Sequence, residues 1–308
     1  MIVRQKLPAF KLFFTLRGSI VQQIYKQLLV ITLLSSLVAG THHYYPDVFP
    51  SYSTAPFTLL GVALSLFLGF RNNASYERWW EARQQWGQLV IDARSLARQV
   101  TSFMDQETES GAQTQKRLIY LTIAFTHALR HQLRQTSPWQ DINRYIDPDH
   151  HAAVRNAQNP AEFLLRLMGK KVGYSRRNKL LSEILVQSVD DRITSMTGVL
   201  AACERIQHTP LPFAYTLLVH RTTYLYCFML PFGLVSSLGI VTPLVCAVIA
   251  YTFFGLDALS EELEEPFGLS TNDLPLMAIS RSIEINLLEA LEETSLPPSI
   301  EAKDGCLQ

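Results

Sequence analysis

Residues 53–80 read STAPFTLLGVALSLFLGFRNNASYERWW, and the rest of the chain is arranged around this stretch. No charged residue occurs from Pro56 to Phe70, and no proline separates that apolar run from the polar residues after it. The stretch therefore predicts one continuous helix that starts in a membrane and continues beyond it as a polar helix. Small residues that recur every four positions favour close helix packing in lipid, and here they are Gly61, Ser65 and Gly69.

Bulky apolar residues also recur every four positions, at Val62, Leu66 and Phe70. Each step of four turns about 40° around a helix, so these side chains share one face. If the helix stays straight, Asn73 and Glu77 continue that face beyond the apolar run. Around a symmetric axis, such a face would form a hydrophobic constriction that opens into a polar vestibule. An ordinary membrane helix that emerges into water as an amphipathic helix is the alternative explanation.

The composition suits one membrane domain that carries a helical polar part. The chain has 308 residues, of which 48% are hydrophobic, and its 27 basic residues balance its 27 acidic ones. This balance gives no support for nucleic-acid binding. The charges are unevenly distributed, because 25 of the basic residues precede residue 222 and twelve acidic residues lie from Asp257 to Asp304. The basic middle and the acidic tail could contact each other, or the tail could simply be solvated.

Four cysteines occur without a CxxC motif or a close pair: Cys203, Cys227, Cys246 and Cys306. We interpret them as small buried hydrophobic residues in a reducing compartment, with neither a disulfide nor a metal site. The first apolar run begins late and leads into His42 and His43 instead of small residues, which is not typical of a cleavable signal peptide.

Hydropathy and charge predict four membrane spans. The first covers residues 27–46 and the second about 54–71, while the third and fourth lie within 222–260. The link between the first two spans has no Lys or Arg, so the positive-inside rule places it outside and both termini in the cytoplasm. The chain then divides into an N-terminal segment with two membrane helices, a cytoplasmic helical region, two further membrane helices and a cytoplasmic acidic tail: residues 1–71, 72–221, 222–260 and 261–308.

The long polar region is predicted to be helical, because its apolar residues recur at helical spacing, notably in residues 116–133 and 177–207. Polar and turn-forming residues predict a loop over 105–115. After the fourth span, Pro266 and Gly268 predict a turn. Asp273 is then expected to cap a helix that begins near Pro275.

His127 and His131 stand four apart on a predicted helix, a spacing that can place two imidazoles on one metal ion. No third ligand is evident beside them, so core or surface histidines are the favoured interpretation. A metal-dependent membrane enzyme built on this pair stays open as an alternative. The sequence has no Gly-rich phosphate loop, nucleophile elbow or zinc-ribbon spacing, so we expect no cofactor and no catalytic residue.

Together these features resemble the bestrophin family, in its bacterial branch, over most of the chain. The resemblance rests on the order of short motifs around the spans: Arg17-Gly18-Ser19-Ile20, Leu68-Gly69-Phe70, Arg78-Trp79-Trp80 and Glu264-Glu265-Pro266-Phe267-Gly268. It implies an all-α integral membrane protein that forms a homopentamer around one axial pore. It also implies a place in the lipid bilayer of a bacterial inner membrane and conduction of small monovalent ions, chiefly chloride and other anions.

The resemblance also assigns roles to particular residues. It implies that Val62, Leu66 and Phe70 line a hydrophobic neck and that Ile184 lines a second, cytoplasmic constriction. Asn73 and Glu77 would then face the vestibule. A ring of Glu77 carboxylates favours cations, so a sodium-selective channel of the same fold is one alternative, and a non-conducting membrane scaffold is another. In residues 269–273, one Asp and one Asn stand where calcium-gated relatives carry an acidic run, so we expect no comparable calcium activation.

Overall fold

The computed structural model describes residues 1–2, 8, 10, 15, 18–50, 52–105, 107–303 and 305–307, so Arg17 of the first motif lies outside the described residues. The described chain is built from α-helices. They are α1 (Val21–Tyr44), α2 (Ala55–Phe103), α3 (Glu109–Leu133), α4 (Trp139–Ile142), α5 (Pro148–Asn156), α6 (Pro160–Arg177), α7 (Glu183–His208), α8 (Phe213–Leu238), α9 (Thr242–Glu264) and α10 (Leu276–Glu289).

Helix α2 is the longest element and belongs to both halves of the molecule. It runs without interruption for 49 residues, a length of about 74 Å at 1.5 Å per residue. The predicted continuous helix is therefore confirmed. The predicted boundary at residue 71 falls inside this helix, so the apolar and polar regions share one continuous element.

Within the described residues, three helical segments are long and apolar enough to cross a membrane: α1, the first part of α2, and the Phe213–Glu264 segment. The last of these is a hairpin, because the chain turns at Gly239–Val241 and α8 packs against α9. Helices α1 and α8 begin at Val21 and Phe213, six and nine residues before the predicted spans. Their first turns carry polar side chains, which hydropathy alone assigns to flanking segments.

Two hydrophobic cores lie along α2. The apolar core joins the first part of α2 to α1, α8 and α9, with Leu64, Leu68, Tyr226 and Phe253 among its buried residues. The large core joins the second part of α2 to α3, α6, α7 and α10. At its centre, Trp86 is fully buried. Because α2 contributes residues to both cores, its rotation and position affect the packing of both.

Several predicted boundaries in the polar region are wrong for local reasons. The predicted 105–115 loop is shorter, because Thr108 accepts a hydrogen bond from the Gly111 N–H and starts α3 at Glu109. The predicted 177–207 helix starts later: Ser182 caps α7, and Lys179 has a φ of 57° in the connection before it. These caps were not identified in advance.

Asp273 does not cap α10, which begins at Leu276 without a side-chain cap. The Asp273 carboxylate instead accepts a hydrogen bond from the Ser270 N–H at 2.6 Å. The prediction that Asp273 caps the helix is therefore wrong. This residue closes the turn that precedes the helix.

The small-residue pattern of α2 has one clear contact within the chain. A Cβ on Gly61 would lie 2.7 Å from the Tyr226 hydroxyl of α8, whereas a Cβ on Gly69 would meet no atom within 4 Å. A tighter contact lies further along the same helix pair, where a Cβ on Gly233 would come within 2.4 to 2.6 Å of three atoms of the Phe57 ring. Close approach of α2 and α8 therefore requires glycine.

Gly233→Ala should lower the thermal unfolding midpoint of the purified protein, because the added methyl group overlaps the Phe57 ring. Overpacking of this kind costs about 1–3 kcal/mol of unfolding free energy. Gly40→Ala is the control, since a Cβ there meets no atom within 4 Å. Equal midpoints for the two variants would contradict the close packing of α2 and α8.

Candidate functional site

One face of α2 is unpacked in the chain. Val62, Leu66 and Phe70, which we call the neck stripe, are 57%, 59% and 64% exposed, whereas Leu64 and Leu68 are buried in the apolar core. The predicted periodicity therefore corresponds to a real helix face, directed away from α1, α8 and α9. A pore lining, a neighbouring subunit or lipid could each cover such a face.

Asn73 and Glu77 are exposed and continue the neck stripe. Glu77 follows Phe70 by seven residues, about 10 Å along the helix axis. Apolar side chains, an amide and a carboxylate therefore follow one another along exposed positions of one uninterrupted helix.

The two arginines nearest the neck stripe are turned away from it. Arg71 is buried and pairs with the Asp257 carboxylate of α9, with Glu264 at 3.9 Å. Arg78 donates through Nε to the Glu264 carbonyl oxygen and through Nη1 to the Thr209 carbonyl oxygen, both at 2.7 Å. Neither guanidinium therefore shares the face of Glu77.

Asp257 and His220 are site residues that the sequence analysis missed. His220 Nδ1 of α8 lies 2.7 Å from Asp257 Oδ2, while Asp257 Oδ1 contacts Arg71. One carboxylate thus joins α2, α8 and α9 directly behind the end of the neck stripe. The sequence does contain a signal for this site, because Asp257 is a charge within an otherwise apolar run. Ionisable groups in such runs are costly unless paired.

Two of the recognised motifs contact each other at the end of α9. In addition to the Arg78 contact with Glu264, the Trp79 indole N–H donates to the Asn272 carbonyl oxygen at 3.2 Å. The segment that contains Pro266-Phe267-Gly268 is therefore held against α2. This segment is thus in direct contact with the helix that carries the neck stripe.

Ile184 lies in the first turn of α7 and is 86% exposed. Its neighbour Leu185 packs against the large core. The side chain of Ile184 is therefore free to meet a second copy of the chain or to line a passage.

His127 and His131 do not face a common centre. His127 is buried, with Nε2 at 3.1 Å from Glu284 Oε2, whereas His131 Nε2 lies 2.8 Å from Asp141 Oδ2. Among the described residues, no three His, Cys, Asp or Glu side chains are grouped as a metal site requires. The described pair therefore consists of one buried histidine and one half-buried histidine, each beside its own carboxylate.

Glu284 is the centre of a buried polar cluster in the large core. It accepts a hydrogen bond from the Tyr145 hydroxyl at 2.6 Å, and Arg144 and Arg281 pair with it. Burial alone would raise the pKa of Glu284, but the hydrogen bonds from His127 and Tyr145 and the nearby positive charges outweigh it and lower the pKa to about 2. The carboxylate is therefore charged in the folded protein and ties α10 to α3.

The described fold and the exposed stripe define a helical membrane protein in which one long helix belongs to both an apolar and a polar region. Residues 1–289 match the family described as Bacterial/Fungal Bestrophin protein. The chain belongs to the bacterial and fungal bestrophin family.

Similar proteins cover nearly the whole chain. The voltage-dependent anion channel-forming protein of Mesorhizobium japonicum is 45% identical over 97% of this chain and 94% of its own. The protein of that name from Escherichia coli K12, YneE, is 43% identical over 97% of each chain. The crystal structure of a bacterial bestrophin homolog from Klebsiella pneumoniae has a TM-score of 0.83 at 40% identity, covering 88% of this chain and 100% of that one. The resemblance to bestrophins is thereby confirmed.

Glu284→Gln should lower the unfolding free energy at neutral pH by about 2 kcal/mol, because it removes the buried carboxylate that accepts from Tyr145 and pairs with Arg144 and Arg281. The lowered pKa also predicts acid sensitivity: the stabilisation is complete above the unfolded pKa near 4.5 and is lost as the pH falls from there towards 2. Denaturant unfolding at a series of pH values measures both effects. Glu289→Gln, at an exposed position on the same helix, should change the free energy by less than about 0.5 kcal/mol.

If the stability of Glu284→Gln matched that of Glu289→Gln at neutral pH, the cluster would have no net stabilising effect. The wild type should also lose more stability than Glu284→Gln between pH 4.5 and 2, because only the wild type carries the carboxylate that takes up a proton there.

Proposed function

We propose that the protein is a homopentameric channel that conducts small monovalent anions, chiefly chloride, through a neck lined by Val62, Leu66 and Phe70. The observation that carries the proposal is the neck stripe: three bulky apolar side chains on one helix face stay more than half exposed in the chain. Five such stripes around an axis would enclose an apolar passage. The anion assignment rests on the relatives, which are named voltage-dependent anion channel-forming proteins.

The proposed topology has four spans, α1, the first part of α2, α8 and α9, in the inner membrane of a bacterium. The charges support it, because every Lys and Arg then lies on the cytoplasmic side. Both termini and the large core would lie in the cytoplasm. Ile184 would form a second constriction there, which its exposure on α7 allows.

The first effect of the proposed neck would be to exclude water, and ions would be excluded as a consequence. Three apolar rings spaced four residues apart extend over about 12 Å, and a narrow apolar passage of that length resists wetting. A slight widening or a more polar side chain would admit water and then ions. Because an apolar wall has no charge, the choice between anions and cations would fall to the flanking vestibule and to the cost of dehydrating each ion.

A cation channel of the same fold is the second candidate, and one arrangement favours it. Glu77 lies on the face of the neck stripe, whereas Arg71 and Arg78 are engaged on other faces of α2. A ring of carboxylates without nearby cations attracts monovalent cations such as sodium. The charges of the proposed vestibule therefore favour cations, whereas the names of the relatives favour anions.

The scaffold and the metal-dependent enzyme receive less support. An assembly scaffold needs no apolar stripe aligned with polar residues along one straight face. The enzyme needs His127 and His131 on one ion, and these two side chains face different carboxylates. We therefore propose no enzymatic activity.

Leu66→Ala should raise the current of purified protein in planar bilayers by about twofold or more, because it widens and shortens the apolar barrier. Leu60→Ala is the matched control, since Leu60 is also partly exposed on α2. It lies about 160° from Val62 around the helix and is therefore not part of the neck stripe. The control should conduct like the wild type. If Leu66→Ala assembled normally and carried an unchanged current, Leu66 would not belong to the barrier.

The reversal potential under a salt gradient distinguishes the two channel candidates. A wild-type value near the chloride equilibrium potential is the expected result, and Glu77→Gln should then move it little. A value near the cation equilibrium potential that Glu77→Gln shifts towards zero would overturn the anion assignment in favour of the cation channel. Glu109→Gln on α3 is the control for loss of one exposed carboxylate elsewhere.

A further inference from the structure

A cavity of about 600 Å³ lies between the C-terminal end of α3 and the turn that follows α9. Arg78, Arg130 and Arg134 line it, and Glu265 is the one carboxylate among its described lining residues. Arg130 is neutralised by Asp141. Arg78, Arg134 and Glu265 therefore set the charge of the cavity.

In the described part of the chain, Arg78 and Arg134 donate hydrogen bonds only to backbone carbonyl oxygens. Carboxylates act on them at longer range, chiefly Glu264 and Glu265 on Arg78 and Asp273 on Arg134. Besides the two carbonyl contacts of Arg78, the Arg134 guanidinium donates through Nε to the Phe267 carbonyl oxygen at 3.3 Å and through Nη2 to the Leu274 carbonyl oxygen at 3.4 Å. Neither forms an ion pair within 4 Å with a described carboxylate. Arg78, Arg130 and Arg134 together exceed the Glu265 and Asp141 carboxylates by one charge, so a net positive charge remains at the cavity wall.

Both guanidiniums also keep donors for a ligand. Arginine has five N–H donors, and the two carbonyl contacts of each side chain leave Nη2 of Arg78 and Nη1 of Arg134 without a protein acceptor in the described residues. Burial lowers the pKa of Arg134, the neighbouring charge of Arg130 lowers it further, and Asp273 offsets part of this effect. An anion in the cavity would stabilise the charged form of Arg134.

We propose that this cavity binds a phosphate group through Arg78 and Arg134. The planar guanidinium fork matches phosphate oxygens, and the volume lies within the range of small-ligand sites. Gln207 and Thr136 add polar edges, whereas Leu269 and Met277 offer an apolar wall to the remainder of a ligand. The bound group would join α2, the end of α3 and the turn after α9, independently of ion conduction.

Phosphate could reach the cavity from two sources. Arg78 follows Phe70 by eight residues, about 12 Å along α2, which is close to both a membrane surface and the aqueous phase. Inorganic phosphate and the headgroup of an acidic phospholipid present the same oxygens to the guanidiniums. The test therefore uses both probes.

Leu269→Glu and Leu269→Gln form the decisive pair. Leu269 is exposed and lines the cavity, so either substitution leaves the hydrophobic cores intact, but only glutamate places a competing carboxylate beside the arginines. The unfolding midpoint of the purified oligomer is measured against sodium phosphate, with chloride at matched ionic strength as reference. A second series replaces phosphate with a short-chain phosphatidic acid, with phosphatidylcholine as reference.

A rise in midpoint with either probe is expected for the wild type and for Leu269→Gln, with an apparent affinity at least tenfold weaker for Leu269→Glu. A response to phosphate identifies the soluble ion as sufficient, whereas a response to phosphatidic acid alone identifies the lipid. Arg134→Gln should weaken the response as well, and Arg94→Gln, whose side chain contacts Asn286 outside the cavity, should not. Equal responses of the two Leu269 variants, or no response of the wild type to either probe, would overturn the proposal.

Discussion

The buried contact between Arg71 and Asp257 fixes how α2 is turned. A charged side chain that is 2% exposed costs several kcal/mol unless a partner of opposite charge meets it. Asp257 supplies that partner from α9, and His220 holds the second oxygen of the same carboxylate from α8. Because Arg71 follows Phe70 directly, the orientation that satisfies the ion pair also turns the neck stripe away from the apolar core.

A buried carboxylate also holds the second part of α2. Asp92 is fully buried and is satisfied by the Ser195 hydroxyl at 2.6 Å and by Arg192 at 3.3 Å, both from α7. Two buried carboxylates, Asp257 and Asp92, thus fix the rotation of one uninterrupted helix at points about 30 Å apart, since Arg71 and Asp92 are separated by 21 residues. A rotation of α2 that would change the neck must break at least one of these contacts or bend the helix.

The exposed face of α2 was predictable, because a four-residue repeat on an unbroken helix leaves little freedom for where the side chains lie. The partners of that helix were not. Asp257 lies 186 residues from Arg71 in the chain, and periodicity carries no information about which distant helix a charge will meet. The prediction that Asp273 caps α10 is wrong for a related reason, since a turn and a helix compete for the same carboxylate and the sequence does not rank them. The start of α7 shows a local limit of this kind of prediction. Apolar residues keep helical spacing on both sides of Ser182, so spacing alone does not reveal that the helix starts after it.

The names of the relatives and the charges on the exposed face of α2 favour ions of opposite sign. The contacts of Arg71 and Arg78 in the structure place both guanidiniums on faces of α2 other than that of Glu77. A vestibule that contains Glu77 without an arginine would repel anions near the neck. Anion conduction through such a passage therefore requires that the carboxylates be screened or that cations gathered at Glu77 accompany the anions. An apolar neck cannot reverse this preference, because its resistance comes from dewetting and applies to either charge. In the proposed channel, selectivity would consequently depend on the polar residues on either side of the neck.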